Sequence, residues 1–143
     1  MRTLVLTVLL AAPIWAAPVP REVRNGPALE GTWEVVTMHS NGVGMEMYQG
    51  ARWKIGKETI DIEYPEALRA RQPSVSNKIH RVDGTTRPRQ LDYTNYQGMD
   101  RKAVFEIQGD KLTICIPVDT TDRPKELKAD TSNLFYTFKR IKE

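Results

Sequence analysis

Few side chains in this sequence are equipped for chemistry, and their spacing decides what each can do. The one cysteine, Cys115, could act as a nucleophile if a neighbouring base held it as the thiolate. It sits inside Leu112-Thr113-Ile114-Cys115-Ile116, where a thiol serves equally as a small apolar filler of a strand. The two imidazoles, His39 and His80, lie at no motif spacing from it. A catalytic zinc site takes three protein ligands and an open fourth position, so a carboxylate would have to join the histidines. Neither H-x-H nor H-E-x-x-H occurs. Asp61, Glu63 and Asp92 could supply the two carboxyl groups of a glycosidase, which stand roughly 5 to 9.5 Å apart. Asp61 and Glu63 alternate with Ile60 and Ile62, however, as residues on the watered face of a strand do. The reading therefore assigns no catalytic residue, no metal site and no cofactor.

A charge cluster offers binding in place of catalysis. Arg69, Arg71, Lys78, Arg81, Arg87 and Arg89 face a single acid, Asp83, over the same stretch. If they converge, they form a basic patch for an anionic glycan or an acidic protein, held by a screened, salt-sensitive attraction. If they do not, they are solvated loop and strand residues. The whole chain has a net charge of only +3, too weak a field to imply nucleic-acid binding.

The elements that must position these residues are strands. Short alternating or β-branched runs recur between Gly, Pro, Asn and Asp, and helical periodicity is almost absent. Strands are predicted at 31–40, 51–55, 59–64, 74–82, 90–94, 103–107, 111–117 and 134–141. The good helix formers after Pro65 predict one short helix near 65–71, stopped by Pro73. Gln108-Gly109-Asp110 is a tight hairpin loop in which Gly109 supplies a positive φ, and Gly56-Lys57 marks a second turn.

Alternation turns Trp53, Ile55, Ile60, Ile62, Phe105, Ile107, Leu112, Ile114 and Ile116 toward one core. Eight such strands around one apolar face close into an antiparallel up-and-down barrel. A sandwich or half-open sheet is the runner-up. Within a barrel, Trp33, Trp53, Ile60, Ile62, Phe105, Ile114 and Phe138 either line a pocket for a small apolar ligand or fill the interior outright.

The first residues read as a secretory leader. Residues 1–17 carry one cation, Arg2, then an apolar run from Leu4 to Trp15 and the small exit Ala16-Ala17, with cleavage expected after Ala16. The run falls short of the ~20 apolar residues that span a bilayer, so no transmembrane segment is expected after cleavage. Residues 18–28, polar and proline-rich, read as a flexible tether, and 29–143 as one barrel domain. With one cysteine there is no intramolecular disulfide, and stability rests on packing and sheet hydrogen bonds. A monomer, exported to the periplasm or the extracellular space, is the expectation.

Several motifs resemble those of one family. The opening Gly31-Thr32-Trp33-Glu34-Val35-Val36 is followed by Trp53 and by Arg87-Pro88-Arg89-Gln90-Leu91-Asp92-Tyr93-Thr94. The hairpin Phe105-Glu106-Ile107-Gln108-Gly109-Asp110-Lys111-Leu112-Thr113-Ile114-Cys115, the turn Arg123-Pro124-Lys125-Glu126-Leu127 and the closing Phe138-Lys139-Arg140 complete the set. Together they resemble a lipocalin-like family of exported proteins, uncharacterised in reaction and ligand and abundant in planctomycete bacteria. The resemblance implies a lipocalin-like barrel and export, and it carries over no active site. In such a barrel the first and last strands are neighbours, which would stack the Arg140 guanidinium on the Trp33 indole as a closing pair worth roughly 0.5 to 2 kcal/mol.

The function this supports is non-catalytic binding of a small apolar ligand or an anionic partner. A small carboxylate-dependent hydrolase and a structural envelope component are the alternatives.

Overall fold

The computed structural model describes residues 29–142. The leader and tether expected over 1–28 lie outside the described residues. Nine strands form one antiparallel sheet: β1 (Gly31–Ser40), β2 (Val43–Gly44), β3 (Arg52–Ile55), β4 (Thr59–Glu63), β5 (Val75–Asp83), β6 (Arg89–Thr94), β7 (Asp100–Gln108), β8 (Lys111–Pro117) and β9 (Asn133–Ile141). β1 pairs with β2 and with β3, each later strand pairs with the next, and β9 returns to pair with β1 from Thr32↔Ile141 to Ser40↔Leu134. Eight strands thus close an up-and-down barrel, with β2 as a two-residue addition to the end of β1. A 3-10 turn at Glu46–Tyr48 and one short helix, α1 (Glu66–Arg69), are the helical elements of the described residues.

Closure leaves no long free edge, and it fixes two unlike poles. Short turns join β3 to β4, β5 to β6 and β7 to β8 at one pole, which we call closed. The connections 41–51, 64–74, 95–99 and 118–132 gather at the other, open pole. Gly109 takes φ 58° in the hairpin loop, and Asn41-Gly42 takes φ 53° and 75° between β1 and β2, a pairing suited to two-residue hairpins.

Two bulges tune which side chains face inward. One between Val35 and Thr37 turns Val36 and Thr37 both outward, so that Val35 and Met38 both reach the core. The other, between Ile79 and Arg81, does the same for His80 and Arg81.

Inside, aromatic rings fill the barrel from the closed pole to mid-height. Trp53 packs against Phe138 and Tyr136, each at a ring separation of 5.0 Å, and Tyr136 stacks on Phe138 at 5.6 Å. At the closed pole the Arg140 guanidinium carbon lies 4.0 Å from the Trp33 ring centroid, and the Trp33 indole N–H donates to the Leu29 carbonyl at 2.9 Å. Gly31 makes room for this contact. It adopts φ +135°, and a Cβ there would stand 2.7 Å from Arg140 Nη1.

Candidate functional site

The seven side chains expected to line a pocket come together, but as packing. Trp33, Trp53, Ile60, Ile62, Phe105, Ile114 and Phe138 are each at most 6 % exposed and belong to one contiguous core. Three clefts on the described surface lie elsewhere: beside the 118–132 connection, at the closed end near Gly31 and Thr59, and over Val36, His39 and Met45.

The six cations of the expected basic patch are not gathered into one surface. Arg69 and Arg71 flank the end of α1 at the open pole, whereas Arg87 and Arg89 sit at the closed pole, with the length of β5 between them. Lys78 and Arg81 project from the outer wall of β5. Arg81 is ion-paired with Asp83 and lies 3.9 Å from Asp92. Arg87 donates to the carbonyls of Gly84 and Thr86. Arg89 shares the inward parity of Leu91 and Tyr93. The cause is topological: a meander sends the two ends of each strand to opposite poles.

The candidate chemical groups are likewise separated. Asp61 and Glu63 project from the outer wall of β4, where Asp61 accepts from Ser76 Oγ at 2.6 Å. Asp92 lies two strands away on β6 and pairs with Arg123 at 2.6 Å. His39 contacts Phe135 edge-on, and His80 shares a hydrogen bond with Thr94 on the outer wall of β5. Among the described residues, no group of three or more His, Cys, Asp and Glu could hold a metal ion.

Cys115 faces outward from β8, opposite Val104 and Phe135, and is buried. The 118–132 connection folds back over it. Arg123 anchors that segment by its pair with Asp92 and by donating to the Ala103 carbonyl at 2.9 Å, and the thiol donates to the Lys128 carbonyl at 3.7 Å. Burial pushes the Cys115 thiol up to about 11, so it is neutral near pH 7 and a poor nucleophile.

A different group of side chains does converge. The protein has five tyrosines, and all of them lie at or just inside the open pole. Tyr93 and Tyr136 point into the barrel from β6 and β9, Tyr64 follows β4, Tyr96 follows β6, and Tyr48 ends the 3-10 turn. Tyr48 and Tyr64 meet edge-on at 6.2 Å, and Gln72 donates to the Tyr48 hydroxyl at 3.3 Å. Burial holds the Tyr136 phenol far above its ordinary value, with the neighbouring phenols of Tyr93, Tyr64 and Tyr48 adding to the effect. Burial does the same to Tyr93, while Arg101 opposes it. Neither the Tyr93 nor the Tyr136 hydroxyl has a hydrogen-bond partner among the described residues, although Tyr93 is only 5 % exposed.

The rim around these phenols is apolar and the wall beneath it is polar. Val43, Met47, Tyr96 and Met99, four of the five exposed large hydrophobics among the described residues, stand on the open-pole connections. Asn77, buried on the inner face of β5, accepts the Tyr96 backbone N–H at 2.9 Å. Arg101, opposite Tyr93 in register, donates to the carbonyls of Pro117 and Val118 at 3.3 Å each.

The fold and this pole together define a closed antiparallel β-barrel with one sealed, aromatic-packed end and one end that is phenolic, polar and apolar-lipped. Comparison with known proteins finds no family model, no curated relative and no solved structure that matches the chain. Among the described residues, no helix is long and apolar enough to cross a membrane.

Proposed function

We propose that this is an exported, non-catalytic binding domain, lipocalin-like in family as in architecture, that takes a small apolar molecule at the open pole of its barrel. The observation that carries the proposal is the convergence of all five tyrosines on one end. Tyrosine rings offer apolar contact area at low conformational cost, and their hydroxyls give direction to a bound molecule. The Tyr93 ring is buried while its hydroxyl bonds no group of the described residues, which leaves it able to donate to a bound acceptor. The exposed lip of Val43, Met47, Tyr96 and Met99 gives an apolar molecule its first contact. Export is supported by the leader composition of residues 1–17.

The test is titration with N-phenyl-1-naphthylamine, a neutral dye whose emission rises in apolar surroundings. Saturable binding of one dye per chain is expected, weakened by Met47→Ser and Tyr96→Ser, which alter the lip and leave the barrel wall untouched. Absence of saturable enhancement, or equal binding by both lip variants, refutes the proposal.

A further inference from the structure

The open pole holds a half-buried cation with no carboxylate partner among the described residues. Among these, Arg52, Arg81, Arg123 and Arg140 have acids, the last Asp110 at 3.8 Å, whereas Arg69, Arg71 and Arg87, on the connections, and Arg89, at the closed pole, have none. Arg101 has none among the described residues. Its alternation with Ala103 and Phe105 turns it inward, and its register partner is Tyr93. One guanidinium nitrogen, Nη1, donates to the Pro117 and Val118 carbonyls, and Nη2 makes only a 3.8 Å contact with Met99 Sδ. A guanidinium has five N–H donors in a planar fork. Those carbonyls tether the group at the top of β8 and leave the fork able to receive two oxygen acceptors.

Resting on the binding function proposed above, we infer that the ligand is an amphipathic acid. Its single carboxylate is held by Arg101 and the Tyr93 hydroxyl, and its apolar body lies among Tyr64, Tyr136 and Ile116. Both donors complement an oxyanion. The carboxylate accepts the bidentate pair that an arginine fork favours, and the phenol supplies a further hydrogen bond. The partly buried setting strengthens the attraction relative to water. Arg89 is the other inward arginine without an acid, and its Nε is buried with no partner. It stands at the closed pole, opposite Phe105 and away from the phenols and the apolar lip.

The experiment compares cis-parinaric acid with its methyl ester, two fluorescent probes that differ in the charge of the head group. At neutral pH the acid is expected to bind about ten- to a hundredfold more tightly than the ester, the range for hydrogen bonds to a charged group. Arg101→Gln is expected to bring the acid down to the ester's affinity and to leave the ester unchanged, while Arg101→Lys keeps part of the preference. Arg89→Gln is expected to change neither. Equal affinities for acid and ester on the unsubstituted protein overturn the inference and leave the open-pole binding function standing. Loss of the preference in Arg89→Gln but not in Arg101→Gln also overturns it. Failure of both probes and of the neutral dye to bind overturns the inference and the function together. Should Arg101→Gln fail to fold, the acid–ester comparison on the unsubstituted protein and on Arg101→Lys decides the matter.

Discussion

Gly31→Ala probes how the barrel is sealed, because one methyl group would disturb two contacts that hold the first strand to the last. The new Cβ would stand 2.7 Å from Arg140 Nη1, well inside contact distance. An arginine tip is usually free to move aside. This one is held, with its carbon 4.0 Å from the Trp33 ring centroid and Nη1 donating to the Glu30 carbonyl at 3.0 Å. Displacing it forfeits a cation–π contact worth about 0.5–2 kcal/mol and weakens a charged hydrogen bond worth about 1.5–3 kcal/mol. Alanine at φ +135° adds a backbone cost of about 1–3 kcal/mol. With partial relaxation, Gly31→Ala is expected to destabilise by roughly 2–5 kcal/mol. In an Arg140→Ala background only the backbone part remains, so the two substitutions should couple by about 1–3 kcal/mol. Urea unfolding followed by the fluorescence of the buried Trp33 and Trp53 measures each arm of the cycle. Additivity to within about 0.5 kcal/mol would refute the claim that Gly31 is there to admit the guanidinium.

Two further outcomes follow from buried titratable groups. Tyr93 and Tyr136 ionise at about 10 in the unfolded chain and well above that in the barrel, so above pH 10 the unfolded state releases protons that the folded state keeps. Their stabilising contribution is whole below pH 10 and should fall by roughly 2.7 kcal/mol per pH unit above it. Thermal unfolding between pH 9 and 11 reads the slope, which Tyr93→Phe or Tyr136→Phe should each halve and which would stay the same if the phenols were solvated. Cys115, neutral and covered, should react with Ellman's reagent at pH 8 only as fast as the fold opens. Arg123→Ala, which releases the 118–132 connection, should speed that reaction by at least tenfold while leaving the barrel folded, and an unchanged rate would show that the connection does not shield the thiol.

Strand positions were legible because they are written in local alternation. The eight predicted strands correspond to β1 and β3–β9, and the short helix falls within the predicted 65–71. Strand β2 was missed although its signal was present: Asn41-Gly42 is a hairpin dipeptide, but a two-residue strand shows no alternation. The tyrosine-rich open pole was harder to see, since it is assembled from residues far apart in sequence. Tyr48, Tyr64, Tyr93, Tyr96 and Tyr136 have no common motif or spacing. Four of them lie at the end of a strand or in a connection that a meander brings to the same pole, and Tyr136 points up to them from partway along β9. The same rule scatters the cations between 69 and 89, which look clustered in sequence because β5 runs between them from pole to pole. Arg101 gave no signal at all. What sets it apart is an inward place across from Tyr93 with no acid beside it, a relation between strands that sequence does not report.

The most direct measurement is a two-dimensional amide NMR titration of the isotopically labelled barrel with cis-parinaric acid. Shifts concentrated at Met38, Asn77, Tyr93, Arg101 and Tyr136, with the closed-pole amides around Gly31 and Gly109 unmoved, are the predicted result. Saturating probe that moves none of these, or that moves only the outer surface around Arg123 to Asn133, would contradict a ligand site at the open pole.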